Sequence, residues 1–238
     1  MTDPSRRAEP PSLPEISVLA RLQQGLESLY RVETKLDIRC FVVSDRERDR
    51  TLNDNGARRP REQLLVTHAE GEVSLGLYLD AAALTNLERH DPGQGLSEKN
   101  FGDFCLAVEG VSHFIYVAWC AAADRLVTAL ELELQAEIDK FVSCALLLSW
   151  EPSTHAKPEE PGHDTLSARL FEDVRYAHDL DQEERTRYAT ANDEARRYAR
   201  SLERRYLNRQ QTEDMLAELR RFYRLSLEAK LSHIAAAG

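Results

Sequence analysis

QLLVTHAEGEVSLGLYL, residues 63–79, decides the fold class. In its second half Val73, Leu75, Leu77 and Leu79 alternate with Ser74, Gly76 and Tyr78. A period of two puts one face of a strand on a core and the other nearer solvent. Glu70-Gly71 separates two such runs, and glycine supplies the positive φ of a tight hairpin turn. A hairpin over Gln63–Ala69 and Glu72–Leu79 therefore excludes an all-helical chain.

Helical signals flank it on both sides. Downstream, Asp80 is placed to cap a short helix through Arg89, stopped by Asp91-Pro92-Gly93. Ser97 is the expected cap of the next helix, where Phe101, Phe104, Cys105, Val108, Ser112, Ile115 and Trp119 keep helical spacing. Residues 111–119 are also rich in β-formers, so a strand there is the alternative. Residues 127–139 are ambiguous too. Leu130, Leu132 and Leu134 alternate like a strand, whereas Leu126, Leu130, Leu134, Ile138, Phe141 and Ala145 fit a helix. The Ala, Leu, Glu and Gln content and the length favour the helix.

Upstream, Leu36–Val43 reads as a strand, and Ile16, Leu19, Leu22, Leu26 and Leu29 form one apolar helical face. Residues 44–62 carry Arg, Asp and Asn with few apolar anchors and read as a mobile surface loop. Residues 1–14, with four prolines, read as a disordered tail. Residues 150–164, with Pro152, Pro158 and Pro161, read as a linker. Beyond it two or three helices are expected, with a break near Asn208 suggesting an antiparallel hairpin. The resulting fold class is α+β: a small antiparallel sheet packed with helices over 15–149, then a helical hairpin or small bundle over 165–238.

With 238 residues, 42% hydrophobic and 30% charged, the chain can bury a sizeable core. The net charge of −10 excludes a uniformly basic nucleic-acid binder. It is uneven: residues 1–164 balance to −11 and residues 165–238 to +1. Cys40, Cys105, Cys120 and Cys144 lack CxxC spacing and sit beside apolar residues, which suggests buried free thiols in a reducing compartment. The first residues show no secretory signal, and the longest uncharged run is too short for a spanning helix, so a soluble cytoplasmic protein with no membrane partner is expected.

Phosphate-binding glycine motifs, GxSxG and HExxH are missing, and no cofactor can be named from the sequence. Cys105, Glu109 and His113 recur every four residues. On a helix they share a face, where Glu109 and His113 could act as a catalytic carboxylate–imidazole pair. The bland alternative is a buried thiol beside a hydrogen-bonded Glu–His pair. Glu131, Glu133, Glu137 and Asp139 read as a solvated acidic face, with Glu137 and Lys140 paired at i,i+3, and no metal site is assigned. Arg197, Arg200 and Arg204 lie at i, i+3 and i+7 and are the candidate anion-binding residues, although Glu194 and Glu203 interrupt them.

The lack of a local catalytic signature points first to an interaction or adaptor protein with a protein partner. An enzyme with a pocket near Glu109 and His113 is the alternative. Nucleic-acid or polyanion binding through the arginine-rich helices is a third reading, which the overall charge opposes.

Overall fold

The computed structural model describes residues 17–52, 59–69, 72–150, 162–172, 174 and 176–237. The expected tail 1–14 and most of the expected linker 150–164 lie outside them, as do 53–58 and the hairpin tip at Glu70-Gly71.

Helix α1 (Val18–Tyr30) starts at Ser17, whose side chain accepts from the Ala20 amide. The hairpin forms as β2 (Glu62–Ala69) and β3 (Glu72–Leu79), antiparallel, with Glu62 opposite Leu79, Leu64 opposite Leu77 and Val66 opposite Leu75. The sheet is mixed, not antiparallel. Its third strand, β1 (Val42–Val43), pairs parallel to β3 in the order β1-β3-β2. The expected strand over Leu36–Val43 is cut short because Asp37 caps a 3-10 turn at Ile38–Cys40, leaving two residues to pair.

Residues 44–62 are not one loop. α2 (Asp45–Leu52) follows Ser44, whose amide and hydroxyl both donate to the Glu47 carboxylate, while the Glu47 amide reaches back to Ser44 Oγ. That reciprocal arrangement is a capping box. α2 covers one face of the sheet. Arg48 is buried with its guanidinium 3.9 Å from the centre of the Tyr78 ring, and the Tyr78 hydroxyl donates to Asp45 at 2.8 Å.

Asp80 caps α3 (Ala81–Arg89) as expected. The next helix, α4 (Phe101–Ala122), begins after Asn100 rather than at Ser97. Asn100 is drawn inward to donate to the carbonyls of His90 and Gly95. Residues 111–119 are helical because α4 is the central element, packed on α1, α3, the sheet and α5 (Ala129–Trp150). A helix covered on several sides needs apolar residues all round, and this packing overrides β propensity. α4 is long and apolar enough to cross a membrane, but most of it is buried among its neighbours.

The C-terminal part holds α6 (Gly162–Phe171), α7 (Gln182–Arg205), α8 (Thr212–Tyr223) and α9 (Leu227–Ala237). Asp181 and Glu184 build a capping box at the start of α7. The chain turns at Leu207–Arg209 with Gln210 left-handed, and Tyr198 of α7 stacks on Phe222 of α8 at 4.1 Å. α7 lies along α5, so one apolar core includes Leu134, Ile138 and Phe141 together with Ala195, Tyr198 and Leu202.

Candidate functional site

An open cleft of about 510 Å³ lies between β2, the middle of α4 and the first half of α5, closed on its fourth side by residues leading into α7. Three periodicities build it. Glu62, Leu64 and Val66 are alternate residues of the edge strand. Leu106, Glu109 and His113 share one face of α4, and Glu133, Glu137 and Lys140 share one face of α5. Val174, Tyr176, Leu180, Arg187 and Tyr188 complete the wall.

Gly110 sets the approach of sheet to helix. A Cβ there would meet Glu62 Cγ and the Leu77 and Leu79 methyls at 3.1 Å each. With only hydrogen at this position the strand comes down onto α4, and Glu62 reaches His113.

The sequence-derived pair Glu109 and His113 both face the cleft, but each binds other partners. His113, 7% exposed, is held between two carboxylates, with Nδ1 3.4 Å from Glu62 and Nε2 3.6 Å from Glu133. Glu109 shares Lys140 with Glu137, both contacts being 2.9 Å. Burial alone would strip the His113 proton; Glu133 and Glu62 outweigh it and raise the imidazolium pKa well above its ordinary value. Lys140 is raised in the same way by Glu109 and Glu137, against the effect of burial. Burial raises the carboxyls of Glu62 and Glu137, with neighbouring carboxylates adding to the effect. Burial also pushes Glu109 upward, but Lys140 and His113 prevail and its carboxyl falls below the usual range.

Two buried polar atoms with no hydrogen-bond partner in the protein, His113 Nε2 and Arg187 Nε, belong to residues lining this cleft. Buried polar groups are normally satisfied, and others without a partner lie away from the cleft, among them Arg125 Nη1 and Asn192 Nδ2. Among the described residues no three His, Cys, Asp or Glu side chains converge as a metal-binding group. Compared with protein-family models, curated proteins and solved structures, the chain matches none.

The acidic set of α5 is not a solvated face. Glu133 and Glu137 turn into the cleft, while Glu131 and Asp139 are buried in a second, sealed network. There Asp139 accepts from Tyr30, from Ser112 at 2.6 Å and from Gln135 at 2.8 Å. Lys230 of α9, with no exposed surface, donates to Tyr116 at 2.8 Å and Gln135 at 2.7 Å. Burial pushes Asp139 up to about 6 and Lys230 down to about 7.

The candidate anion-binding arginines are largely engaged. Arg197 pairs with Glu194 at 3.0 Å, Arg200 with Glu172 at 3.3 Å, and Arg204 donates to the Ala237 carbonyl at 2.9 Å. Arg200 and Arg204 line a polar groove of about 490 Å³ with Ser167, Glu172, Glu203 and Asn208; Arg197 is not part of it. The four cysteines are free thiols, but the expected burial holds only for Cys120 and Cys144; Cys105 is half-buried, and Cys40, at the end of the 3-10 turn, is exposed.

Proposed function

We propose that the cleft between β2, α4 and α5 is a small-molecule site with acid–base groups at its floor, which favours the enzyme-like reading over the adaptor reading. The observation that carries this is the gathering of six ionisable side chains against one open cleft: His113 is buried, and Glu62, Glu109, Glu133, Glu137 and Lys140 are half-buried. Taking charges out of water costs several kcal/mol each, and apolar residues of similar volume often give equal or greater stability. Such a cluster beside an opening is the pattern of a functional site.

His113, with its proton held tightly, is the resident acid. Glu62 and Glu133, on either side, are placed to return a proton to it. Among the described residues no Ser, Thr or Cys lines the cleft, and Lys140 keeps its proton, so general acid–base chemistry by His113 and its carboxylates fits better than attack by a hydroxyl, thiol or amine nucleophile of those residue types. The adaptor reading finds less support. Among the described residues the large exposed apolar side chains are Val66, Leu126, Leu148 and Val174, and Val66 and Val174 already belong to the cleft.

A fragment library screened by amide and imidazole NMR shifts tests the proposal. Hits should perturb His113, Glu133 and Leu64 together. A diverse library that leaves the cleft resonances unmoved at millimolar concentration would defeat it.

A further inference from the structure

Resting on the reading of the cleft as a ligand site, we infer that its ligand is a monovalent organic cation, an ammonium head on an apolar body. The cleft wall carries four carboxylates, Glu62, Glu109, Glu133 and Glu137, against His113, Lys140 and Arg187. Arg61 also lies at the mouth, but it is committed outward to Asp80 at 2.7 Å and Asp103 at 2.8 Å. Among the described residues one negative charge is therefore left for an incoming cation.

The two ends of the floor differ. Lys140 is clasped at hydrogen-bond distance by both its carboxylates. His113 is held loosely, its contacts of 3.4 and 3.6 Å being longer than a good charged hydrogen bond. An ammonium entering at the His113 end can take a carboxylate oxygen of Glu133 without dismantling the Lys140 pairs.

Above the floor the wall turns apolar, with Leu64, Leu106, Leu132 and Leu180. Tyr176 and Tyr188 face each other there, with ring centres 6.5 Å apart. This surface suits a hydrocarbon or aromatic body, and tyrosine faces add attraction for a cation. Arg187, 5.4 Å from the Tyr188 ring centre, opposes a cationic head and provides a control.

Three probes of one shape separate the ligand classes: 2-phenylethylammonium chloride, 2-phenylethanol and sodium 3-phenylpropionate, titrated calorimetrically into the full chain. The ammonium should bind about tenfold or more tightly than the alcohol, as a charge-assisted hydrogen bond allows, and the carboxylate most weakly. Glu133→Gln should abolish the preference for the ammonium while leaving the alcohol's affinity unchanged. Arg187→Gln, remote from the His113 pairs, should tighten the ammonium several-fold. Equal or tighter binding of the alcohol or carboxylate overturns the inference, as does a preference untouched by both substitutions. Failure of all three probes also overturns it. Neutral or anionic fragments that map to the cleft would still leave the ligand site standing.

Discussion

At the scale of single residues, His113 and Lys230 face the same conflict and resolve it in opposite ways. Both are buried, and burial disfavours their charge. His113 has two carboxylates beside it and keeps its proton; the Lys230 amine has a phenol and an amide and tends to lose it. The His113 imidazole should titrate well above 6.5 by NMR, and Glu62→Gln or Glu133→Gln should each lower its pKa more than Glu109→Gln does. An equal or larger drop for Glu109→Gln would mean that the Glu109–His113 pair expected from sequence is the real one. Because the folded pKa of His113 is raised, its contribution to stability is complete below about 6.5 and fades as pH rises through the folded value. Lys230 has the opposite sign. Its folded pKa of about 7 lies below the ordinary 10.5, so stability linked to it is present above 10.5 and is lost as pH falls through 7. Lys230→Met should gain stability relative to the native chain as pH is lowered from 10 to 6, seen as diverging melting temperatures. Parallel curves would show that the amine does not titrate in the fold. Glu109 and His113 were legible because one helix carries both at i,i+4. Glu62 and Glu133 were not, since a strand 51 residues upstream and a separate helix deliver them.

At the scale of elements, local signals gave correct answers wherever the local rule had no competitor. Asp80 and the hairpin over Gln63–Leu79 needed only their own neighbours. The Ser44–Glu47 box was equally local and went unread because the charged sequence around it looked like a loop. The split of the last helical stretch at Arg224–Ser226 carries no proline or glycine and had no comparable signal. Tertiary packing decided the remaining elements. Residues 111–119 are helical because α4 is enclosed, and the sheet is mixed because a two-residue strand finds the free edge of β3. Gly110 shows how sequence rules mislead at such a place. It weakens a helix by about 1 kcal/mol relative to alanine, yet it lies where the sheet presses on α4. Three contacts at 3.1 Å, two from the buried Leu77 and Leu79, mean that an added methyl fits only if these packed side chains give way by a few tenths of an ångström. Gly110→Ala should therefore destabilise the protein by about 1 kcal/mol net despite its better helix propensity, because overpacking costs about 1–3 kcal/mol. It should also shift the His113 resonances as Glu62 is pushed away. Higher stability in urea, with His113 unmoved, would show that the sheet yields freely.

At the scale of the whole molecule, the sequence divides at 150–164 into an α+β part and a helical part, and the structure lays α7 of the second along α5 of the first. α5 is the layer between them, contacting α4 on one side and α6 and α7 on the other. Leu134, Ile138, Phe141 and Ala145 are each at most 1% exposed. Fully exposing a large apolar side chain costs about 1.5–3 kcal/mol, so uncovering a few of them is comparable with the roughly 5–15 kcal/mol that stabilises a typical domain. The cleft depends on the same contact, because Tyr176, Leu180, Arg187 and Tyr188 form its fourth wall. A fragment of residues 15–150 should accordingly show no cooperative melt by circular dichroism and should bind none of the cleft's ligands. Mixing it with a 162–238 fragment should restore a sharp transition and a 1:1 species on size exclusion. A sharp, reversible melt of 15–150 alone would instead establish that part as a domain in its own right and the α5–α7 contact as an interface between two domains. Ligand binding by that fragment would further place the working part of the cleft on β2, α4 and α5, with α7 as a cover.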